Sequence, residues 1–227
     1  MNTNIAVSSP KSKIQPKNGE IFYPSEEKKK LGETDFQHIQ ILILEQQLRI
    51  FLSEKKDIYL ASDLIVYYEE GNPNRRFAPD LMICFGVENK KRRSYKIWEE
   101  KQVPQVIIEV ASEATWQKDV TTKRRLYERL GVAEYYIIDP EYKYLTQPLI
   151  AYRLEFGDLV RQAINNNRIF SHLLDLELVN TGTDFRFSNP ETDNFLPTAQ
   201  ELSQVNQELL SENEILKAEL TRLKGEK

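Results

Sequence analysis

The sequence predicts an α/β fold, a sheet with parallel strands covered by helices, followed by a separate coiled-coil helix. Three observations carry this. The first is a strand, helix, strand succession: the apolar run Val106-Ile107-Ile108-Glu109-Val110, a helical pattern from Trp116 to Leu130 stopped by Gly131, and the run Tyr135-Tyr136-Ile137-Ile138 closed by Asp139-Pro140. Two strands joined through a helix run parallel. The second is that these runs, like Leu81 to Phe85, are continuously apolar, which marks strands covered on both faces. The third is the spacing of Leu202, Leu209, Leu216 and Leu223 by seven residues, a leucine-zipper pattern.

In chain order, residues 1–32 are rich in Ser, Pro, Lys, Asn and Glu, with a charge run from Glu26 to Lys30 and no sustained period, and predict a mobile tail. A folded domain is expected over residues 33–190. Thr34 is placed to cap a helix in which Phe36, Ile39, Ile43, Leu44, Leu48 and Leu52 recur at three- and four-residue spacing. Ile58 to Tyr68 is β-branched and aromatic and leads into the turn Gly71-Asn72-Pro73-Asn74, so it reads as one strand and a loop. Beyond the βαβ unit, Ile150 to Phe156 and Asp184 to Phe187 suggest an antiparallel extension of hairpins. Residues 199–227 form the coiled coil. Asn206, Asn213 and Leu220 fill its remaining core positions, and Glu212 and Glu219 at g face Lys217 and Lys224 at e of a parallel partner. Buried Asn at a specifies register and favours two parallel strands. The expected assembly is a homodimer through residues 199–224; a solvated surface helix, or pairing with another chain, would fit the same heptads.

Bulk properties exclude several classes. With 227 residues, 40% hydrophobic and 10% aromatic, the chain can build a core. A net charge of −4 gives no global attraction for nucleic acid, so any DNA contact must be local. No apolar stretch approaches the roughly 20 residues of a membrane span, and the N-terminus has no signal-peptide core. The single cysteine, Cys84, sits in an apolar run and reads as a small hydrophobe. A cytoplasmic protein is expected. His38 and His172 stand without ligand spacing, and there is no Gly-rich phosphate loop.

Chemistry is signalled by residues out of place. Lys123 falls on the helix face of Trp116, Val120, Tyr127 and Leu130, where apolar residues belong. An unpaired buried ammonium costs several kcal/mol, roughly, so it should meet an anion. Asp119, one turn earlier, could be that anion on the helix surface. Glu109 is an acid inside an apolar strand, and carboxylates are rarely buried unless paired or metal-bound. Asp80 follows Pro79 at the start of the neighbouring run, and such a dipeptide alone is only a turn. Together the two acids can hold one hard cation that keeps waters and accepts phosphate oxygens, and a lysine beside it can orient water and stabilise charge. For phosphate contacts the best patch is Lys90, Lys91, Arg92, Arg93 and Lys96, interleaved with Tyr95; a solvated loop is the plainer account of the same run.

Pro79-Asp80, Glu109-Val110-Ala111-Ser112, Asp119, Lys123, Tyr127, Gly131-Val132-Ala133-Glu134-Tyr135-Tyr136 and Asp139-Pro140 together resemble the Uma2 family, within the PD-(D/E)xK nuclease superfamily. The resemblance spans Thr34 to Phe187, and its specific part runs from Glu109 to Pro140. It implies a restriction-endonuclease-like core with a central mixed sheet flanked by helices, and cleavage of double-stranded DNA with Mg²⁺, or Mn²⁺, as cofactor. It further implies Asp80 and Glu109 as metal ligands joined by the Val110 main-chain oxygen, with Lys123 as the catalytic lysine. The superfamily's lysine usually stands two residues after the second acid, where this chain has Ala111, so Lys123 acts from a displaced position. That departure leaves a second reading open, an inactive DNA-binding or protein-interaction module of the same fold. Glu33 and Glu45 are the options for an auxiliary carboxylate from the first helix, Asp119 is another, and Ser112 either caps the following helix or touches phosphate.

Overall fold

The computed structural model describes residues 21–24 and 35–225. Its elements are α1 (Asp35–Phe51), β1 (Ile58–Ser62), β2 (Val66–Tyr67), β3 (Arg76–Phe77), β4 (Leu81–Phe85), β5 (Tyr95–Lys96), α2 (Ile97–Glu100) and β6 (Val106–Val110). Then come α3 (Trp116–Lys118), a π-helical turn (Asp119–Lys123), α4 (Arg124–Leu130), β7 (Glu134–Ile138), β8 (Leu149–Glu155), β9 (Asp158–Arg161), β10 (Arg168–Ser171), β11 (Leu176–Asn180), β12 (Phe185–Ser188) and α5 (Ala199–Gly225). Glu33, Thr34, the charge run at 26–30 and the Leu223 side chain lie outside the described residues. Ile21 to Pro24, part of the stretch read as a tail, lie against β2: the Tyr67 hydroxyl donates to Pro24 O, and the Tyr23 ring meets Tyr67 edge-on.

The central sheet has six strands in the order β1-β4-β6-β7-β8-β9. Only β6 and β7 run parallel; every other neighbouring pair is antiparallel. The predicted βαβ unit is thus the middle of a mixed sheet. Strand alternation sorts the side chains into two layers. Val106, Ile108 and Val110 of β6, with Leu81, Ile83, Tyr136 and Ile138, pack beneath α1 and the small sheet β10-β11-β12. Ile107, with Met82, Cys84, Tyr135 and Ile137, packs beneath the α3–α4 segment, where Tyr127 is fully buried. Glu109 shares that second face by parity. Gly131 ends α4 at φ 82°, a left-handed conformation that suits glycine, and its N–H closes on Glu128 O and Tyr127 O.

Three local readings change. The run from 58 to 68 is two strands in different sheets, because Asp63 at φ 47° turns the chain and gives its N–H to Pro79 O. The helix from 116 to 130 contains the π-helical turn, which inserts one residue between its halves. Most instructively, α1 buries Gln37, Gln40 and Gln47 beside Leu44 and Leu48, while Phe36 and Ile39 are 65% and 54% exposed. The cause is the free edge of β12. The Gln40 amide donates to Phe185 O and accepts from Phe185 N, both at 2.8 Å, and Gln47 accepts from Phe187 N at 2.9 Å and donates to Leu196 O. Side-chain amides stand in for the neighbouring strand that an edge lacks. Among the described residues no helix is long and apolar enough to cross a membrane.

Candidate active site

Asp80 and Glu109 are brought together by strand register. β4 and β6 pair Leu81 with Ile108, and one step further along the same antiparallel ladder sets Asp80 opposite Glu109. Asp80 is 7% exposed, and its Oδ2 accepts the Val110 N–H at 2.7 Å, which ties its carboxylate to the end of β6. Glu109 is fully buried. The Tyr127 hydroxyl donates to Glu109 Oε1 at 2.5 Å, and Lys123 Nζ lies 2.8 Å from Oε2. Lys123 Nζ also lies 2.9 Å from Asp119 Oδ1, across the π-helical turn. Asp119 is buried as well, and its main-chain oxygen accepts the Tyr135 hydroxyl at 3.0 Å.

The sequence posed two candidates for the anion that Lys123 meets, and the ammonium touches both. It bridges Glu109 Oε2 and Asp119 Oδ1 as a charge-assisted contact to each. Lys123 keeps 19% of its side chain exposed and is the most exposed member of the group.

Charge balance at this cluster is short of positive charge. Burial pushes the Glu109 carboxyl up, to about 8, with Asp80 and Asp119 adding to the effect and Lys123 opposing it. Asp119 is raised by burial too, with Lys123 and Thr115 working against the rise. Burial disfavours charge on Lys123, but Glu109, Asp119 and Asp80 outweigh it and raise its pKa. The lysine benefits from an ionised Glu109 while burial resists that ionisation. The direction that follows is a firmly held ammonium among reluctant carboxylates, a set that further positive charge would relieve.

That surplus bears on whether a divalent cation fits. Among the described residues no three His, Cys, Asp or Glu side chains stand together as a ready cage. A hard cation such as Mg²⁺ needs less, since it is bound through one or two carboxylates and keeps waters or phosphate oxygens. Asp80 and Glu109 offer oxygen donors of that kind, and Glu109 Oε2 is a buried oxygen whose partner is the single ammonium of Lys123, shared with Asp119. The donor set fits.

The other predicted positions divide. Ser112 shapes the turn before α3: its oxygen accepts the N–H groups of Thr115 and Trp116, and its hydroxyl meets Thr115 Oγ1 at 2.8 Å. Glu45 pairs with Arg49 and accepts the Ser62 hydroxyl at 2.9 Å, binding α1 to β1 rather than serving the acids. In the basic patch, Arg92 is packed inward: both Glu100 oxygens take its guanidinium, at 2.7 and 2.9 Å, and it lies 4.2 Å over the Tyr59 ring. Lys90 pairs with Glu88 at 3.0 Å and Lys96 with Glu99 at 2.8 Å, while Lys91 and Arg93 are exposed. Two residues gain parts that sequence reasoning did not assign. Tyr127 clamps Glu109, and Gln37 donates from α1 to Ala111 O at 3.2 Å, just past the acid strand. The signal for Gln37 was its place with Gln40, Leu44, Gln47 and Leu48 on one helical stripe.

A mixed sheet with one central parallel pair, acids meeting where the start of β4 faces the end of β6 and a helix laid across them, is the architecture of a restriction-endonuclease-like protein. Within that class the chain belongs to the Uma2 family, described as "Putative restriction endonuclease", which it matches over residues 18–180. It is therefore a member of a nuclease family. Among solved structures it is similar to "a putative nuclease belonging to DUF820 from Anabaena variabilis ATCC 29413", with a TM-score of 0.47 and 13% identity over 61% of this chain and 72% of that one. No curated protein matches it.

Proposed function

We propose that this protein is a divalent-metal-dependent endonuclease that hydrolyses phosphodiester bonds of double-stranded DNA and works as a homodimer. The observation that carries the proposal is the fully buried Glu109, set opposite Asp80 and held between Tyr127 and Lys123. Asp80, Glu109 and the Val110 main-chain oxygen would hold Mg²⁺, or Mn²⁺ in its place, which when bound supplies positive charge against the scissile phosphate. Tyr127 fixes the Glu109 carboxylate and the Val110 N–H fixes Asp80, so neither acid has to be ordered when substrate arrives. Lys123, the most exposed member, offers N–H donors to the attacking water or to a phosphate oxygen and stabilises the charge that develops there. Pairing through α5 brings two such sites to one duplex, one for each strand.

Plasmid DNA should be nicked or linearised in Mg²⁺ and left intact in excess chelator. Asp80→Asn and Glu109→Gln, which preserve shape, should abolish cleavage, and Lys123→Ala should slow it by about 10²- to 10³-fold, the usual effect of removing one preorganised donor. Undiminished cleavage in both acid variants would sink the proposal. One observation favours the second reading, an inactive binding module: Lys123 already sits between Glu109 and Asp119, as a purely structural ion triad would. Calorimetry separates the two. The module reading expects no uptake of Mg²⁺ or Mn²⁺ with DNA or partner binding retained, whereas the nuclease reading expects metal uptake that Asp80→Asn removes.

A further inference from the structure

α5 starts in a fixed direction. Thr198 and Glu201 form a reciprocal cap, with the Thr198 N–H on Glu201 Oε2 at 2.7 Å and the Glu201 N–H on the Thr198 hydroxyl at 3.3 Å. Arg186 of β12 grips both Glu201 oxygens at 2.9 and 2.8 Å. The Ala199 N–H points to Gln46 Oε1 of α1 at 3.4 Å. Beyond this first turn, α5 carries its apolar residues in the open, with Leu202, Val205, Leu209 and Leu216 at 37%, 50%, 50% and 52% exposure.

Among the described residues, α1 has a partly exposed apolar face of its own. Ile39, Ile43, Gln46 and Ile50 follow one another at spacings of four, three and four, so they lie along one stripe, and Phe36 extends it. Gln46, the residue beside the start of α5, is on this stripe. Phe36 and Ile39 are 65% and 54% exposed.

A parallel two-stranded coiled coil is symmetric about its own long axis, and its helices lie only about 8–10 Å apart. The charges of α5 select a second copy as the partner, because Glu212 and Glu219 complement Lys217 and Lys224 of the same sequence. Two α5 helices joined in that way bring their first turns together. With each first turn comes the α1 helix bonded to it through Gln46, a member of that helix's apolar stripe.

We propose that this face of α1, with Phe36 and Ile39 exposed and Ile43 half-buried, is the second half of the dimer interface and packs on the same face of a second copy. The inference rests on self-association through α5 and goes beyond it: the folded domains themselves touch. An isologous contact uses each side chain twice, so a single substitution acts on both sides of the axis. The domains then have a fixed relative placement instead of hanging from a zipper.

The test uses the full chain and sedimentation across a range of concentrations. Ile39→Asp and Phe36→Asp, at positions open to solvent within one chain, should retain the far-ultraviolet dichroism of the wild type and weaken dimerisation by about tenfold or more each. Leu209→Asp serves as the comparison within the zipper. A dimer indifferent to both α1 substitutions but dissociated by Leu209→Asp overturns the inference and keeps the zipper. A wild-type chain that stays monomeric at every concentration overturns both, and with them the homodimer of the proposed function, while metal-dependent cleavage is decided separately at Asp80 and Glu109.

Discussion

Glu109 depends on Tyr127 as much as on Lys123. The phenol is wholly buried, and its 2.5 Å bond to Oε1 fixes this carboxylate from the helix side opposite the oxygen that Lys123 takes. Tyr127→Phe removes that donor and leaves volume unchanged, so a buried acceptor loses its partner at roughly 1–3 kcal/mol. The variant should unfold at lower urea concentration and cleave DNA more slowly at saturating Mg²⁺. Normal stability and normal cleavage together would show that Glu109 needs no clamp. At this scale the polar anomalies were legible: an acid and a lysine where apolar residues belong announce a buried charge cluster from sequence alone. Asp119 was legible as a rival of Glu109 or as an auxiliary acid, whereas Lys123 reaches the two at 2.9 and 2.8 Å at once. The part played by Tyr127 was hidden because an aromatic on an apolar helix face looks like core until the group opposite its hydroxyl is known.

Among the elements, α1 departs furthest from its pattern. Hydrophobic periodicity assumes that the buried face of a helix meets an apolar surface, but this helix meets the backbone edge of β12, and glutamine is the residue that can be buried there. Gln40→Ala therefore strands both the N–H and the C=O of Phe185 and should destabilise the fold by about 2–5 kcal/mol, read by urea titration. Gln40→Leu keeps most of the volume and restores neither bond. If leucine rescues stability, packing and not hydrogen bonding is what the position supplies. The two middle strands and the helix between them were readable because continuous apolar runs and a Gly131 stop leave few alternatives. The π-helical turn was not, since no residue type demands it and its inserted residue depends on Asp119 and Lys123 both facing the acids. Nor was the break at Asp63, where a single left-handed residue sends one apolar run into two sheets.

Charge is a property of the whole molecule, and a net −4 opposes any polyanion that approaches from a distance. Under the proposed function, DNA binding would rest on a few cations, and of the predicted five some are committed to acids and some stand exposed. Arg92 is committed to Glu100 and Tyr59, Lys90 to Glu88 and Lys96 to Glu99, while Lys91 and Arg93 stand exposed on the same loop. Each phosphate contact made by a cation contributes about 0.9 to the slope of log affinity against log salt. Lys91→Ala with Arg93→Ala should therefore flatten that slope by up to about 1.8 and weaken binding uniformly across DNA sequences, with thermal stability unchanged. Arg92→Ala should do the reverse, lowering the melting temperature because Glu100 loses its guanidinium, with little change in the salt slope. The two variants can be compared by fluorescence anisotropy of a labelled duplex at several salt concentrations, in Ca²⁺ to prevent cleavage. If the double variant binds with an unaltered slope, the duplex does not cross this loop, and the exposed Arg125 and Arg129 of α4, on the helix that carries Lys123 into the site, become the cations to remove next.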